Sequence, residues 1–156
     1  MAHTVKEKSY EAAGNVKRKA SEKWENTVDK VIPEFDAGTP DTRFNKLRFK
    51  EYLQVDLTPD VRNIYCYADR MGIDSKFQFS FNCDTSTVRR IIAYRAMTPD
   101  TLNLFGTDLA KTFDWWSKDK LAKLKAYSWF GKEHQDYEYI WYDTTERKAY
   151  YLTFDM

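Results

Sequence analysis

At 156 residues, 17% of them aromatic, the chain is long enough to bury a core in one domain and too aromatic to be a disordered protein. Lys and Arg number 25 against 24 Asp and Glu, and the net charge of +1 argues against nucleic-acid binding through a basic face. With mean hydropathy at −0.73 and no long apolar run, no membrane-spanning helix is expected.

The first residues, Met1 to Thr4, open no apolar signal region. A cell-envelope or periplasmic location would therefore need a leader that has been removed, and the alternative is the cytoplasm. Val5 to Ile32 predicts a long amphipathic helix, in which Ala13, Val16, Ala20, Trp24, Val28 and Val31 recur at spacings of three and four. Pro33 stops it. Its narrow stripe suits either packing on the body through Trp24 or a role as a spacer or self-associating helix. Residues 33–42, with Gly38 and Pro40, read as a linker, which leaves 1–32 as the helix and 43–156 as the globular domain.

Thr-Pro-Asp occurs at Thr39–Asp41, Thr58–Asp60 and Thr98–Asp100. Each is expected to start a helix, with Thr as N-cap, Pro in the first position and Asp at the positive end of the helix dipole. The first should open a short helix carrying Phe44, Leu47 and Tyr52.

Val61 to Ala68 and Lys76 to Cys83 predict a β-hairpin. Ile64, Cys66, Ala68, Phe77, Phe79, Phe81 and Cys83 point inward, and Gln78, Ser80 and Asn82 point outward. In that register Cys66 faces Phe79 and Cys83 faces Arg62, so the two cysteines are expected to be buried free thiols unless a bulge brings them together. Asp84 or Thr85 then caps a helix carrying Val88, Ile91 and Ile92. A second helical region is expected from about Asp108 to Tyr127, with Leu109, Phe113, Trp116, Leu121, Leu124 and Tyr127 as core positions. The adjacent Trp115 and Trp116 cannot both face one core from a helix.

The last thirty residues predict a second hairpin with aromatics on both faces. Tyr137, Tyr139, Trp141, Tyr151 and Ala149 form one set, and Ile140, Tyr142, Tyr150, Leu152 and Phe154 form the other. A half-buried strand alternates apolar with polar residues, so the extra face must be covered from within or kept for a partner. The expected fold is α+β: an antiparallel sheet of two β-hairpins packed with helices on one face, preceded by the N-terminal helix.

Cys83 is the candidate nucleophile, because it opens a helix whose N-terminal amides favour a thiolate, with His134 on a later strand as its base. Against this, Asn82-Cys83-Asp84-Thr85-Ser86 lacks the small residues that papain-like hydrolases carry after their cysteine, and Asp84 opposes the thiolate. Two histidines, His3 and His134, are too few for a zinc site of ordinary spacing, so no metal is expected. Five scattered glycines form no phosphate loop, and no cofactor is expected. Lys118, Lys120, Lys123 and Lys125 lie among aromatics, but Asp114 and Asp119 dilute them, and a solvated helix face explains them better than nucleic acid does.

The expected function is a non-catalytic binding or accessory protein. Its working surface would be Tyr137, Tyr139, Trp141, Tyr151 and Trp115, with a protein as the first choice of partner and a glycan as the second. The alternatives are an inhibitor or immunity-type protein that neutralises a cognate toxin or hydrolase, and a cysteine hydrolase using Cys83 and His134.

Two segments also carry a resemblance. Tyr137-Glu138-Tyr139-Ile140-Trp141-Tyr142-Asp143 with Tyr150-Tyr151-Leu152-Thr153-Phe154, and Phe79-Ser80-Phe81-Asn82-Cys83-Asp84 before its helix, resemble small uncharacterised bacterial envelope proteins, a group that includes lipoproteins. The resemblance implies an envelope setting and assigns neither an activity nor functional residues.

Overall fold

Strict alternation of apolar residues in Phe77-Gln78-Phe79-Ser80-Phe81 makes β2 (Lys76–Asn82), which pairs antiparallel with β1 (Arg62–Asp69). In the computed structural model, which describes residues 35–69, 75–101, 110–132 and 135–155, these are two of six strands. The others are β3 (Thr98–Asp100), β4 (Ala126–Phe130), β5 (Asp136–Asp143) and β6 (Lys148–Asp155). They form one antiparallel sheet in the order β1-β2-β6-β5-β4-β3, so the two expected hairpins meet along β2 and β6. Two helices of more than two turns, α1 (Arg43–Leu53) and α2 (Thr85–Tyr94), and the single turn α3 (Lys118–Leu121) complete the described α+β fold. The chain divides into two units, Met1–Glu34 and Phe35–Met156, and the predicted N-terminal helix with Trp24 lies outside the described residues.

One face of the sheet matches the expected inward set. Ile64, Cys66, Ala68, Phe77, Phe79, Phe81 and Cys83 join Ile140, Ala149 and Tyr151 beneath Phe49 and Leu53 of α1 and Val88 and Ile91 of α2. Cys66 pairs with Phe79 as expected, but an irregularity between Arg62 and Tyr65 sets Arg62 opposite Asn82 rather than Cys83. Both cysteines are buried and free. In α1, Asn45, Phe49 and Leu53 are buried and Tyr52 packs on Phe77 with ring centroids 4.0 Å apart, while Leu47, also expected on this helix, is half exposed.

The second face corrects the sequence reading most. Gln78 and Ser80, expected in solvent, are fully buried, because a second core of Tyr137, Tyr139, Trp141, Tyr150, Leu152 and Phe154 lies on their side. Residues 110–125 cover it, with Trp115, Trp116 and Leu121 packed down onto the strands. This segment is not the long helix expected from Asp108 to Tyr127. Phe113 and Trp116 bridge across a tight turn, α3 lasts one turn, and β4 follows. A turn is free of the helical 100° rule, which is how adjacent Trp115 and Trp116 both enter one core.

The hairpin faces are also regrouped. Asp143 pairs with Lys148 across the connection 144–147, so even numbers on β5 face odd numbers on β6. Tyr151 and Ala149 therefore share a face with Ile140 and Tyr142, and Tyr139 and Trp141 share one with Leu152 and Tyr150.

The three Thr-Pro-Asp segments do not act alike. Thr42, not Thr39, caps α1 by accepting from the Asn45 N–H at 3.1 Å, and Asp36 caps the preceding turn through Gly38 and Thr39. Asp60 sits in a turn and takes the Asp84 N–H (2.9 Å) and the Thr87 hydroxyl (2.7 Å), so it secures the start of α2 from outside. Thr98–Asp100 is the edge strand β3, whose Pro99 has no N–H to offer.

Residues 35–42 lie along the outer edge of β1. Asp41 donates its N–H to Ile64 O and accepts from the Asn63 and Ile64 N–H groups, and the Cys66 N–H reaches Asp36 O. Asn45, fully buried, pins this loop: its amide accepts from the Asp36 N–H (2.7 Å) and donates to the Asp36, Thr39 and Ile64 carbonyls.

Gln78 does the same for the second face. Its amide donates to Lys111 O at 2.9 Å and accepts from the Lys111 N–H at 2.8 Å, as a neighbouring strand would. Gln78→Leu keeps the volume and removes both bonds. Urea unfolding is expected to show a loss of about 1–3 kcal/mol, and near-ultraviolet dichroism a weaker signal from Trp115 and Trp116. An unchanged midpoint with unchanged dichroism would show that the clip is dispensable.

Candidate functional site

The five residues expected to form the binding surface are all buried. Tyr151 is fully buried, Trp141 1% exposed, Tyr139 2%, Trp115 8% and Tyr137 9%. Tyr137, Tyr139, Trp141 and Trp115 belong to the second core, whereas Tyr151 lies on the opposite face in the first. The structure thus does not bring the five together. Tyr139 stacks on Trp141 at 5.7 Å and Tyr137 on Phe154 at 4.9 Å, so their rings contact each other rather than solvent.

Trp115 lines a cavity. It stands at the margin of the second core, nearly parallel to Tyr65 (centroids 5.5 Å apart, planes 16° apart) and to Phe113 (4.7 Å, 4°). Its indole N–H donates to Ala37 O at 2.7 Å, which ties the covering segment to the loop along β1. Beside these rings opens a groove of about 560 Å³, lined by Ala37, Gly38, Tyr65, Phe113, Asp114, Trp115 and Lys148, with Thr112 on its wall. Lys111 sets a cation over two rings, its Nζ 5.0 Å from the Tyr67 centroid and 5.6 Å from that of Phe113.

Sequence reading missed Tyr65, Phe113 and Lys148 as site residues. One signal was present: Tyr65 and Tyr67 occupy the β1 positions opposite to Ile64, Cys66 and Ala68, where a one-sided sheet would place polar residues.

Lys148 extends from the first position of β6, half-buried, with its Nζ 5.3 Å from the Tyr150 ring centroid. Burial lowers its pKa, the Lys120 charge adds to that, and Glu146 works against it. Lys120 of α3 holds the nearby carboxylates, Asp143 at 3.1 Å and Glu146 at 2.5 Å. Asp143 also accepts from the Glu146 and Thr145 N–H groups, and these bonds keep its carboxyl below the usual range.

The cysteine site gains no support from its surroundings. Cys83 is 2% exposed, and burial, with the Asp60 charge beside it, pushes its thiol up to about 12. His134 lies outside the described residues. A 340 Å³ cavity beside Cys83 is lined by Asp60, Arg62, Asp84, Glu146 and Arg147, and its Asp84 and Arg147 pair with each other. Among the described residues no cluster of His, Cys, Asp and Glu is arranged to hold a metal ion, and no helix is long and apolar enough to cross a membrane.

Among the described residues Glu138 is the one carboxylate buried within the sheet. Its Oε2 lies 3.3 Å from Arg95 Nε, and the Tyr151 hydroxyl interacts with both. Burial raises the Glu138 pKa, Arg95 and Tyr151 oppose the rise, and Asp136 adds to it.

Comparison of the chain with known protein families, with curated proteins and with solved structures gives no match. The functional reading therefore rests on the groove's own geometry.

Two measurements follow from these environments. Iodoacetamide at neutral pH is expected to label neither Cys66 nor Cys83 in the folded protein, and both after unfolding in guanidinium. Selective labelling of Cys83 at mildly acidic pH would restore the nucleophile. For Glu138, a folded pKa above the unfolded one means its stabilising contribution is complete below the unfolded pKa and declines as pH rises through the folded one. The melting temperature of Glu138→Gln, relative to wild type, is expected to rise as pH goes from about 4 to about 7, and a difference that stays flat with pH contradicts this.

Proposed function

We propose that the globular unit is a non-catalytic binding or accessory domain, and that its working surface is the groove beside Tyr65, Phe113 and Trp115 rather than the buried faces of β5 and β6. The observation that carries this reading is a groove of about 560 Å³ in which three nearly parallel rings meet Lys148 and Asp114. Its volume falls in the range of ligand sites, and it combines apolar walls with a few polar groups. A protein partner fits better than a glycan. A sugar stacks on an open ring face, whereas Trp115 is 8% exposed and its plane is taken up by Tyr65 and Phe113. Aromatic rings, the Lys148 ammonium, the Asp114 carboxylate and the backbone at Gly38 are what the groove offers, and these suit side chains of a peptide segment.

The envelope setting implied by the sequence resemblance belongs to the same proposal, and fractionation of source cells checks it. The surface itself is tested by affinity capture with wild type and with Phe113→Ala. Provided the variant keeps its melting temperature within a few degrees, it is expected to lose at least one partner that the wild type retains. Identical capture profiles would place the working surface elsewhere.

A further inference from the structure

Lys148 makes no salt bridge among the described residues, although the Glu146 charge reaches it. Its cross-strand neighbour Asp143 and the turn residue Glu146 are both held by Lys120, and Asp114 lines the same groove. Lys148 itself rests on the face of Tyr150. A half-buried ammonium has lost part of its hydration, and a ring face returns only part of it. The group lines the same groove as the stacked rings of Tyr65 and Trp115.

Resting on the binding reading above, we infer that this groove recognises a single carboxylate of a partner peptide through Lys148, with an aromatic side chain of the same peptide set against Tyr65 and Phe113. A carboxylate would complete the missing pair with a charge-assisted hydrogen bond. Asp114 on the same groove is exposed and negative, so it repels a second anionic charge. That disfavours polyanions such as nucleic acid and selects one carboxylate beside an apolar group. The half-exposed rings of Tyr65 and Phe113 supply edges for an aromatic side chain, which pairs edge-to-face or offset. The charge of the bound anion would also offset the desolvation that lowers the Lys148 pKa, so occupancy should be accompanied by firmer protonation of that amine.

The test uses the full chain, N-acetylphenylalaninate as probe and its neutral amide as the charge control. The reporter is the Trp115 indole N–H resonance, which is fixed by its bond to Ala37 O. The acid is expected to shift this resonance saturably and to bind roughly tenfold or more tightly than the amide, as the loss of one charge-assisted hydrogen bond requires. Lys148→Met should remove that preference while leaving the amide's binding unchanged, and Lys148→Arg should keep it. Equal binding of acid and amide, or an acid unaffected by Lys148→Met, overturns carboxylate recognition and leaves the groove as a binding surface. Absence of any shift with either probe overturns both. Preferential binding of glucuronate over N-acetylphenylalaninate overturns the peptide in favour of an acidic glycan.

Discussion

The amide of Gln78 holds an irregular segment against the sheet with two hydrogen bonds to the Lys111 backbone, at 2.9 and 2.8 Å. From that anchor the chain turns through Phe113 and Trp116, drops the Trp116 ring edge-on against Trp141 and Tyr150, and sends Trp115 sideways onto Tyr65. Lys120 then fastens the next turn to the β5–β6 connection. Because these fixings are polar and local, a segment with one short helical turn serves as a second layer. The central strands are thereby buried on both faces, an arrangement more usual in parallel sheets.

Much of the first layer was legible in the sequence. Phe77, Phe79 and Phe81 alternate with period two, and Val88 and Ile91 repeat with helical period, so each element and its inward face follow from spacing. The second layer was not, for physical reasons. Gln78 and Ser80 look solvent-facing because they are polar, yet Gln78 is satisfied by the backbone of a segment 33 residues away. Thr98-Pro99-Asp100 has the composition of a helix start, but β4 supplies a pairing edge and the local preference yields. The apolar spacing of Phe113, Trp116, Leu121 and Leu124 fits a helix equally well on paper, and only the rings' need to cover Trp141 and Tyr150 selects the turn. Of the groove, Trp115 was visible as an odd neighbour of Trp116, while Lys148 gave no signal, since its singular position comes from what Lys120 has taken.

The groove is where the second layer runs out. Toward β5 the rings close over one another, and toward β1 the covering narrows to Trp115 and Phe113 resting on Tyr65 and Tyr67. A stack that ends at a surface leaves ring edges with no further neighbour, and rigid aromatic groups present contact area at small entropic cost. The distribution of charge follows the same boundary: Lys120 gathers two carboxylates on one side, and the half-buried Lys148 stands on the other.

The loop along β1 has a bearing on how the protein behaves in a crowded solution. An outermost strand with idle donors and acceptors is a template on which another chain can add itself, and long ladders begin that way. Here Asp41 takes the Asn63 and Ile64 N–H groups, Asp36 O takes that of Cys66, and Asn45 keeps the loop from peeling back. At the far side of the sheet the terminal strand is three residues long with a proline at its centre. Among the described residues, a sheet this rich in aromatic side chains thus offers a long row of idle backbone groups at neither margin, which works against fibre growth by strand addition.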